Sequence, residues 1–354
     1  MQKELIPLVA VVSLAVGLQA AGCGQAEERG LPEEPEQRAV AGSGNQNPDI
    51  QGAEAANPLA AGIAIERPPH AAAEVAHREA TVLAEWPVGT FVENLVALAD
   101  GSFLVSVVTA KRIDRVSADG SRAVFAQFEH EPTGLSRVGD EVIVNLGAPG
   151  QPGWALWGLS LADGERRSIA EIPEALFLNG STPFGDRSVL VTDSILGQVF
   201  QVDLLDGSYR VWWRDERLGK ISEDRWMPGA NGIAATENEV FVASTERALL
   251  LRVEIQPNGS AGAAGVLGEQ LVGDDLVLAA DGTIYLTTNV YNQVLAVSED
   301  GSRRELAGVD QFMNGATAAA LAPDGHLVVT TTGGILAPVD GVVQPAKLVR
   351  LKIS

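Results

Sequence analysis

The chain has 354 residues, of which 46% are hydrophobic and only 5% aromatic, and it contains 38 glycines. This composition is typical of a large all-β fold. A formal charge of −21 leaves no basic stripe, which argues against nucleic acid and anionic lipid surfaces as partners. The single cysteine excludes an intramolecular disulfide, and the four histidines show no spacing typical of zinc ligands.

The first 22 residues have the pattern of an export signal. Residues 6–18, IPLVAVVSLAVGL, form an uncharged apolar run that is too short for a membrane span. Small residues then precede Cys23, and this arrangement resembles a bacterial lipoprotein signal in which Cys23 carries the lipid. We therefore predict a signal peptide over 1–22 and an exported protein, lipid-anchored in the cell envelope. By the same resemblance Gly24 favours the outer membrane, on its periplasmic or surface face. The alternative is ordinary secretion with an incidental thiol.

Residues 23–79 have the composition of a tether. They are rich in Ala, Glu, Pro and Gly and contain few large apolar side chains. Such a segment cannot bury enough apolar surface to offset the entropy lost on folding. We predict that it is disordered and that the folded domain covers 80–354.

The folded domain consists of six repeated units. Each starts with a polar residue, followed by a small-and-apolar run, a turn and an alternating strand; the polar residues are Glu93, Thr133, Asn179, Asn231, Asp274 and Thr317. Six units of about four strands, each roughly 40–50 residues long, predict a six-bladed β-propeller with antiparallel blades. The last unit lacks an outer strand, and ATVLAEW at 80–86 has the right pattern to supply it. We therefore expect the N-terminal strand to close the last blade.

The six leading residues are predicted to share one site. The innermost strand of a propeller blade lines the central channel, so a residue just before it lies at the channel mouth. Two carboxylates and two amides that converge there are costly to bury without a cation. We predict a divalent cation held by Glu93, Asn179, Asn231 and Asp274. Calcium is the first candidate, and magnesium, manganese or zinc are the others. For each residue alone, an ordinary turn role is the alternative.

Five motifs carry a family resemblance. ENL at 93, LNG at 178, ANGI at 230, GDDLVLAADG at 273 and MNGATAAALAPDG at 313 resemble the senescence marker protein / gluconolactonase (regucalcin-like) family of six-bladed propellers. The resemblance implies lactonase or phosphotriesterase activity and a divalent metal at the axis. The family glutamate falls on Glu93, one asparagine on Asn179 and the aspartate on Asp274. The blade-two asparagine is Thr133 here, and Asn231 is a substitute from another direction. A branch with ENL, TG and DD includes members proposed to guide cyclisation.

These observations together predict a metal-dependent hydrolase of a small organic lactone or ester. A bound cation polarises the carbonyl and lowers the pKa of water, so no serine or histidine nucleophile is required. Asp274 is the candidate proton acceptor and Asp275 the second. The predicted pocket residues are Thr133, Trp226, Met227, Met313, Thr317 and Asp193. The alternatives are a non-catalytic binding propeller and a metal-free cyclase-like pocket. We expect a monomer that binds a small molecule.

Overall fold

The computed structural model describes residues 66–222 and 227–353. They form six sheets arranged as the blades of a β-propeller, and each blade has four antiparallel strands. The predicted fold class is confirmed. The signal peptide, Cys23, most of the predicted tether and Trp226 lie outside the described residues.

The strands follow one another in the order of the blades. Two strands come first, the two-residue β1 (Glu74–Val75) and the nine-residue β2 (Ala80–Val88). Blade one comprises β3 (Val92–Ala97), β4 (Phe103–Val107), β5 (Arg112–Val116) and β6 (Arg122–Gln127). Blade two comprises β7 (Glu131–Val138), β8 (Glu141–Gly147), β9 (Trp154–Ser160) and β10 (Arg166–Ile172). Blade three comprises β11 (Leu178–Phe184), β12 (Ser188–Asp193), β13 (Gln198–Asp203) and β14 (Tyr209–Arg214).

The second half repeats this arrangement. Blade four comprises β15 (Ala230–Ala235), β16 (Glu239–Ser244), β17 (Leu249–Ile255) and β18 (Ala261–Glu269). Blade five comprises β19 (Leu276–Leu278), β20 (Ile284–Thr288), β21 (Gln293–Val297) and β22 (Arg303–Ala307). Blade six comprises β23 (Ala316–Leu321), β24 (Leu327–Thr331) and β25 (Pro345–Leu351), completed by β2. The helical elements of the described chain are the 3-10 turns Val108–Ala110, Glu216–Leu218 and Val309–Gln311. No helix in these two ranges is long and apolar enough to cross a bilayer.

The core lies between neighbouring blades. Trp154 and Leu156 of blade two, for example, pack with Val191 and Phe200 of blade three. Each sheet is covered on both faces, so its middle strands are continuous apolar runs instead of alternating ones. The first strand of every blade contacts the first strands of its neighbours, and these six strands surround the central channel.

The ring is closed by β2. It pairs antiparallel with β25, from Ala80 opposite Leu351 to Val88 opposite Pro345. Trp86 of β2 is only 2% exposed, and its Nε1 donates a hydrogen bond of 2.8 Å to the Asp114 carboxylate of blade one. The N-terminal strand therefore completes blade six and also joins it to blade one, as predicted.

Residues 66–79, hereafter the N-terminal strap, lie against blade five instead of belonging to a free tether. β1 pairs in parallel with β22, and Ala71 N donates to Gln270 O. The imidazole of His70 stacks on the ring of Tyr291 with 4.4 Å between centroids. Composition did not indicate this contact, because it is made by backbone groups and one stacked ring and not by a run of apolar residues. The contacts of the chain with the propeller therefore begin before residue 80.

His70 is a titratable group at the contact between the strap and the propeller. Its Nδ1 accepts a hydrogen bond from Val272 N, and its Nε2 faces Gln293 Oε1, both at 3.1 Å. This arrangement fits only the neutral imidazole with its proton on Nε2. Burial holds the pKa of His70 below its ordinary value, although the hydrogen bond to Gln293 acts in the opposite direction. The unfolded chain thus binds a proton more readily than the folded chain does.

We expect the strap to lose stability as the pH falls through about 6.5, the pKa of an unfolded histidine, and to keep it above that value. In His70→Asn the amide oxygen can still accept from Val272 N without titrating. Its melting temperature should therefore fall less than that of the parent protein between about pH 7.5 and 5.5. His130→Asn, at an exposed position, is the matched control. Identical pH profiles for the parent protein and the His70 variant would contradict this role.

Candidate functional site

The leading polar residues lie in β-bulges of the innermost strands. In blade three the pairing passes from Leu178 opposite Asp193 to Ser181 opposite Val191, so two residues, 179 and 180, oppose one. The same irregularity occurs at 93–94, 133–134, 231–232 and 317–318. A bulge re-aims a side chain that regular pairing would direct elsewhere. Five polar residues thus lie inside their strands, whereas the sequence predicted them just before the strands; Asp274 does precede β19.

Polar side chains of the second strands fix the bulges. Thr192 Oγ1 of β12 donates to Asn231 O of the next blade at 2.6 Å, and Asn145 Nδ2 of β8 donates to Asn179 O at 2.7 Å. Thr287 Oγ1 of β20 donates to Thr317 O at 2.6 Å. These bonds satisfy carbonyls that the irregular pairing leaves free, and they tie each bulge to the preceding blade.

The glycines of the Asn-Gly pairs permit close approach of the blades. A Cβ on Gly180 would lie 2.7 Å from Asn231 O, and one on Gly232 would lie 2.5 Å from Asp275 Cα. Real Cβ atoms essentially never come this close to another atom, so both positions require glycine. In each pair the asparagine supplies a side chain near the axis, and the glycine lets the next inner strand pass beside it.

Most of the predicted site residues line one pocket at the end of the channel. These are Glu93, Thr133, Asn179, Asn231, Asp274 and Met227. The pocket encloses ≈ 720 Å³ when the solvent at its mouth is included. This space is within the range of pockets that hold a small organic molecule. The wall is apolar and includes Phe91, Val108, Phe177, Val272, Val290 and Leu336.

Three predicted pocket residues lie elsewhere. The carboxylate of Asp193 accepts hydrogen bonds from the backbone N–H groups of residues 176, 195 and 196, which makes it the cap of a buried turn. Thr317 Oγ1 donates to Val92 O at 2.9 Å and so ties blade six to blade one. Met313 is fully buried in the core between blades five and six. Thr317 leads its blade motif and Met313 lies close to one, yet neither they nor Asp193 line the pocket.

Asp275, the second predicted proton acceptor, faces away from the pocket. Its Oδ2 accepts from Asn94 Nδ2 at 3.0 Å, and both residues line the groove at the other end of the channel. Burial, reinforced by the neighbouring charge of Asp274, raises the pKa of Asp275 to about 7. Successive residues at the end of an extended segment point in opposite directions, which separates Asp274 from Asp275.

Asp274 is held by two amides. Its Oδ1 accepts from Asn231 Nδ2 at 2.7 Å, and its Oδ2 accepts from Asn289 Nδ2 at 2.9 Å. Asn231 Nδ2 also donates to Thr245 Oγ1 at 3.0 Å, so both of its N–H groups are occupied. These bonds fix the orientation of the Asp274 carboxylate.

The polar residues of the pocket lining, hereafter the floor, are Glu93, Thr133, Asn179, Asn231, Thr245, Asp274 and Asn289. Asn179 and Thr133 also direct their donors into the protein. Asn179 Nδ2 donates to Ser194 Oγ at 3.2 Å, and Thr133 Oγ1 donates to Leu178 O at 2.7 Å. Within 66–222 and 227–353, no hydrogen bond reaches the Glu93 carboxylate or the Oδ1 atoms of Asn179 and Asn231. Asn289 Oδ1 is buried without a partner among the same residues. The floor of the pocket therefore offers acceptor oxygens and hardly any donor.

The charges on the floor are uncompensated. Burial, and then the charges of Asp274 and Asp275, raise the pKa of Glu93 well above its usual range. Burial also raises the pKa of Asp274 to about 6, against the hydrogen bonds from Asn289 and Asn231. No ion pair with Lys, Arg or His neutralises Glu93 or Asp274 in the described part of the chain. A bound cation would remove this penalty.

The donor set suits a hard cation. No group of three or more His, Cys, Asp or Glu side chains is placed to hold a metal in the described ranges. The candidate ligands are instead two carboxylates, Glu93 and Asp274, and two amide oxygens, Asn179 and Asn231. Such oxygen ligands are those that calcium and magnesium accept.

No family model matches the chain, and no curated protein matches its sequence. Solved structures do match its fold. A calcium-binding protein, regucalcin, from Agrobacterium tumefaciens aligns with a TM-score of 0.60 and 18% identity, over 79% of this chain and 97% of its own. A gluconolactonase from Xanthomonas campestris aligns with a TM-score of 0.59 and 13% identity, over 82% of this chain and 98% of its own.

The chain has the fold of the regucalcin and gluconolactonase propellers. The family resemblance seen in the motifs is thus confirmed at the level of the fold. Virginiamycin B lyase from Staphylococcus aureus, solved with quinupristin, also aligns, with a TM-score of 0.52 and 11% identity over 74% of this chain and 80% of its own. Propellers with different reactions therefore share this architecture.

Two residues of the floor were not predicted from the sequence. Asn289 and Thr245 hold Asp274 and Asn231, and neither belongs to the leading motif of a blade. Their position in the repeat could have indicated this role, because each directly follows the second strand of its blade. Ser194, which binds Asn179, occupies the same place after β12.

Proposed function

We propose that the protein is a metal-dependent hydrolase of a small organic lactone or ester. Glu93, Asn179, Asn231 and Asp274 would hold a divalent cation at the propeller axis, with calcium the first candidate and magnesium, manganese or zinc the others. The observation that carries this proposal is the acceptor-only floor with its uncompensated carboxylates. The shared fold with a gluconolactonase and with a calcium-binding regucalcin supports it.

The residues of the floor have separable tasks in this proposal. A bound cation supplies polarisation of the carbonyl and a lowered pKa of water. Asp274, oriented by Asn231 and Asn289, is the group placed to accept a proton. The apolar wall limits the access of bulk water to the floor.

Metal analysis of the purified full chain tests this proposal. A metal that binds only the folded state stabilises it by roughly 2.7 kcal/mol at a hundredfold excess over its Kd. We expect chelation to lower the melting temperature and stop hydrolysis of a lactone and ester panel, and one of the four cations to restore both. A protein that contains no metal, and melts identically with chelator and with each added cation, would refute the proposal.

A metal-free lyase or cyclase pocket is the second candidate. The observation in its favour is the pair Glu93 and Asp274, whose raised pKa values allow one carboxyl to hold a proton while the other is ionised. Such a pair can move a proton without consuming water. Turnover that persists after the metal is removed would favour this candidate over the hydrolase.

We also propose that Cys23 anchors the exported protein to the cell envelope through a lipid. Cys23→Ala should move the protein from the membrane fraction to the soluble fraction after export, because alanine cannot carry the lipid that is the proposed anchor. Fractionation with immunodetection measures the change, and Ser43→Ala, also in the predicted tether, is the control. An unlipidated variant that stays in the membrane fraction would contradict this anchor.

A further inference from the structure

The pocket combines an acceptor-only floor with an apolar wall, and this combination restricts the substrate. We propose that the substrate is an uncharged lactone or ester with a hydrophobic substituent, and not a sugar lactone or an anionic ester. This inference rests on the proposed function and narrows it to one chemical class.

The floor disfavours polyhydroxylated substrates. A sugar ring needs hydrogen-bond donors and acceptors in the site to replace the water that it loses on binding. The side-chain donors of Thr133, Asn231 and Thr245 are already committed to the protein. The proposed cation would supply polarisation of a lactone carbonyl in place of such a donor, so a simple lactone would lose little on entering.

The floor also disfavours anions. Glu93 and Asp274 face the pocket, and none of the residues that the structure places in its lining is Lys, Arg or His. A substrate carboxylate or phosphate would have to compete with Glu93 and Asp274 for the proposed cation, and no cationic side chain of this lining would assist it. Neutral substrates avoid this competition.

The wall is preformed to accept an apolar group. Met227, Val272 and Val290 are buried together in one cluster, so little ordering is required when a ligand packs on them. The N-terminal strap supports this cluster from outside, since His70 accepts from Val272 N and stacks on Tyr291. Phe91 and Leu336 remain partly exposed and border the open part of the pocket. An alkyl or aryl substituent would cover them.

A series of γ-lactones with lengthening alkyl chains, from γ-butyrolactone to γ-decalactone, tests the inference on the full chain. We expect kcat/KM to rise roughly fourfold for each methylene that the wall buries. Values for the longer members should exceed that for glucono-δ-lactone by roughly a hundredfold or more. A flat series, or a preference for the sugar lactone, would overturn the inference.

Two wall variants locate the preference. Leu336→Asn and Phe91→Asn should each reduce kcat/KM for γ-decalactone by roughly tenfold more than kcat/KM for γ-butyrolactone. Leu205→Asn, the same chemical change at a surface residue that is 77% exposed, should alter neither. Equal losses for both lactones in both wall variants would show that the wall does not select the substituent.

Binding of an alkyl-substituted lactam, which resists hydrolysis, separates this inference from the proposed function. If the long-chain lactam raises the melting temperature more than the unsubstituted lactam but no lactone is turned over, the hydrolase is wrong and the preference for hydrophobic ligands stands. If lactones are hydrolysed without any dependence on chain length, the hydrolase stands and the substrate class is wrong.

Discussion

Asp274→Asn is expected to lower hydrolysis by roughly a thousandfold or more, comparable to the loss of a group that stabilises charge in a transition state. The substitution removes one of the two carboxylates on the pocket floor. It also places an amide N–H₂ where Asn231 and Asn289 both donate, so the orientation of the side chain is no longer fixed. The rise of melting temperature with added cation should disappear at the same time. Steady-state kinetics and thermal melts with and without chelator measure the two effects.

Asp193→Asn is the matched control for this substitution. Asp193 is buried in blade three, but its oxygens accept only backbone N–H groups of a turn. Losing part of that cap should cost about 1–3 kcal/mol of stability and leave hydrolysis and the cation response unchanged. If the Asp274 variant kept both its activity and its cation response, Asp274 would not be a metal ligand.

Deletion of residues 80–86 is expected to unfold or aggregate the protein. β2 is the fourth strand of blade six, and without it β25 would present an unpaired edge to solvent. The deletion also removes Trp86, whose ring is buried and whose Nε1 binds Asp114 of blade one. Trp86→Ala alone should cost about 3–5 kcal/mol, a large part of the 5–15 kcal/mol that stabilises a typical domain. Circular dichroism melts and size-exclusion chromatography measure the loss.

A deletion within the predicted tether is the control. Removing residues 24–60, which lie outside the described part of the chain, should leave the melting temperature unchanged. Deletions that reach residue 70 should lower it, because His70 and Ala71 bind blade five. Equal melts for the 80–86 deletion and the tether deletion would contradict closure by β2.

The repeat was readable because its signals are local and recur six times. Strand patterns and turn residues need only short windows of chain, and the spacing of Glu93, Thr133 and Asn179 already indicates blades of four strands. Ring closure by residues 80–86 was also predictable, since an incomplete last unit and an unassigned first strand leave few other arrangements. The floor residues followed because equivalent places in a symmetric ring converge on its axis.

Other features depend on contacts between residues far apart in the chain. Asp193 and Asp274 are both aspartates beside the end of a strand, and only packing makes one the cap of a turn and the other part of the pocket floor. Met313 precedes a blade motif as Met227 does, yet it is enclosed between two blades. The strap binds blade five through backbone groups and His70. The amino-acid composition of a segment does not indicate contacts of this kind.

The sequence by itself determined the propeller, its six blades, its closure and the ring of polar residues, because these follow from periodicity and from the burial of apolar strands. Only the tertiary structure decided which way each polar side chain points. The β-bulges re-aim Glu93, Asn179 and Asn231, and their geometry depends on hydrogen bonds from the second strands and on glycines that let neighbouring blades approach. In blade five, a shift of one residue in the pairing of the innermost strand would place Asp275 instead of Asp274 at the pocket floor, because successive residues of an extended chain face opposite ways.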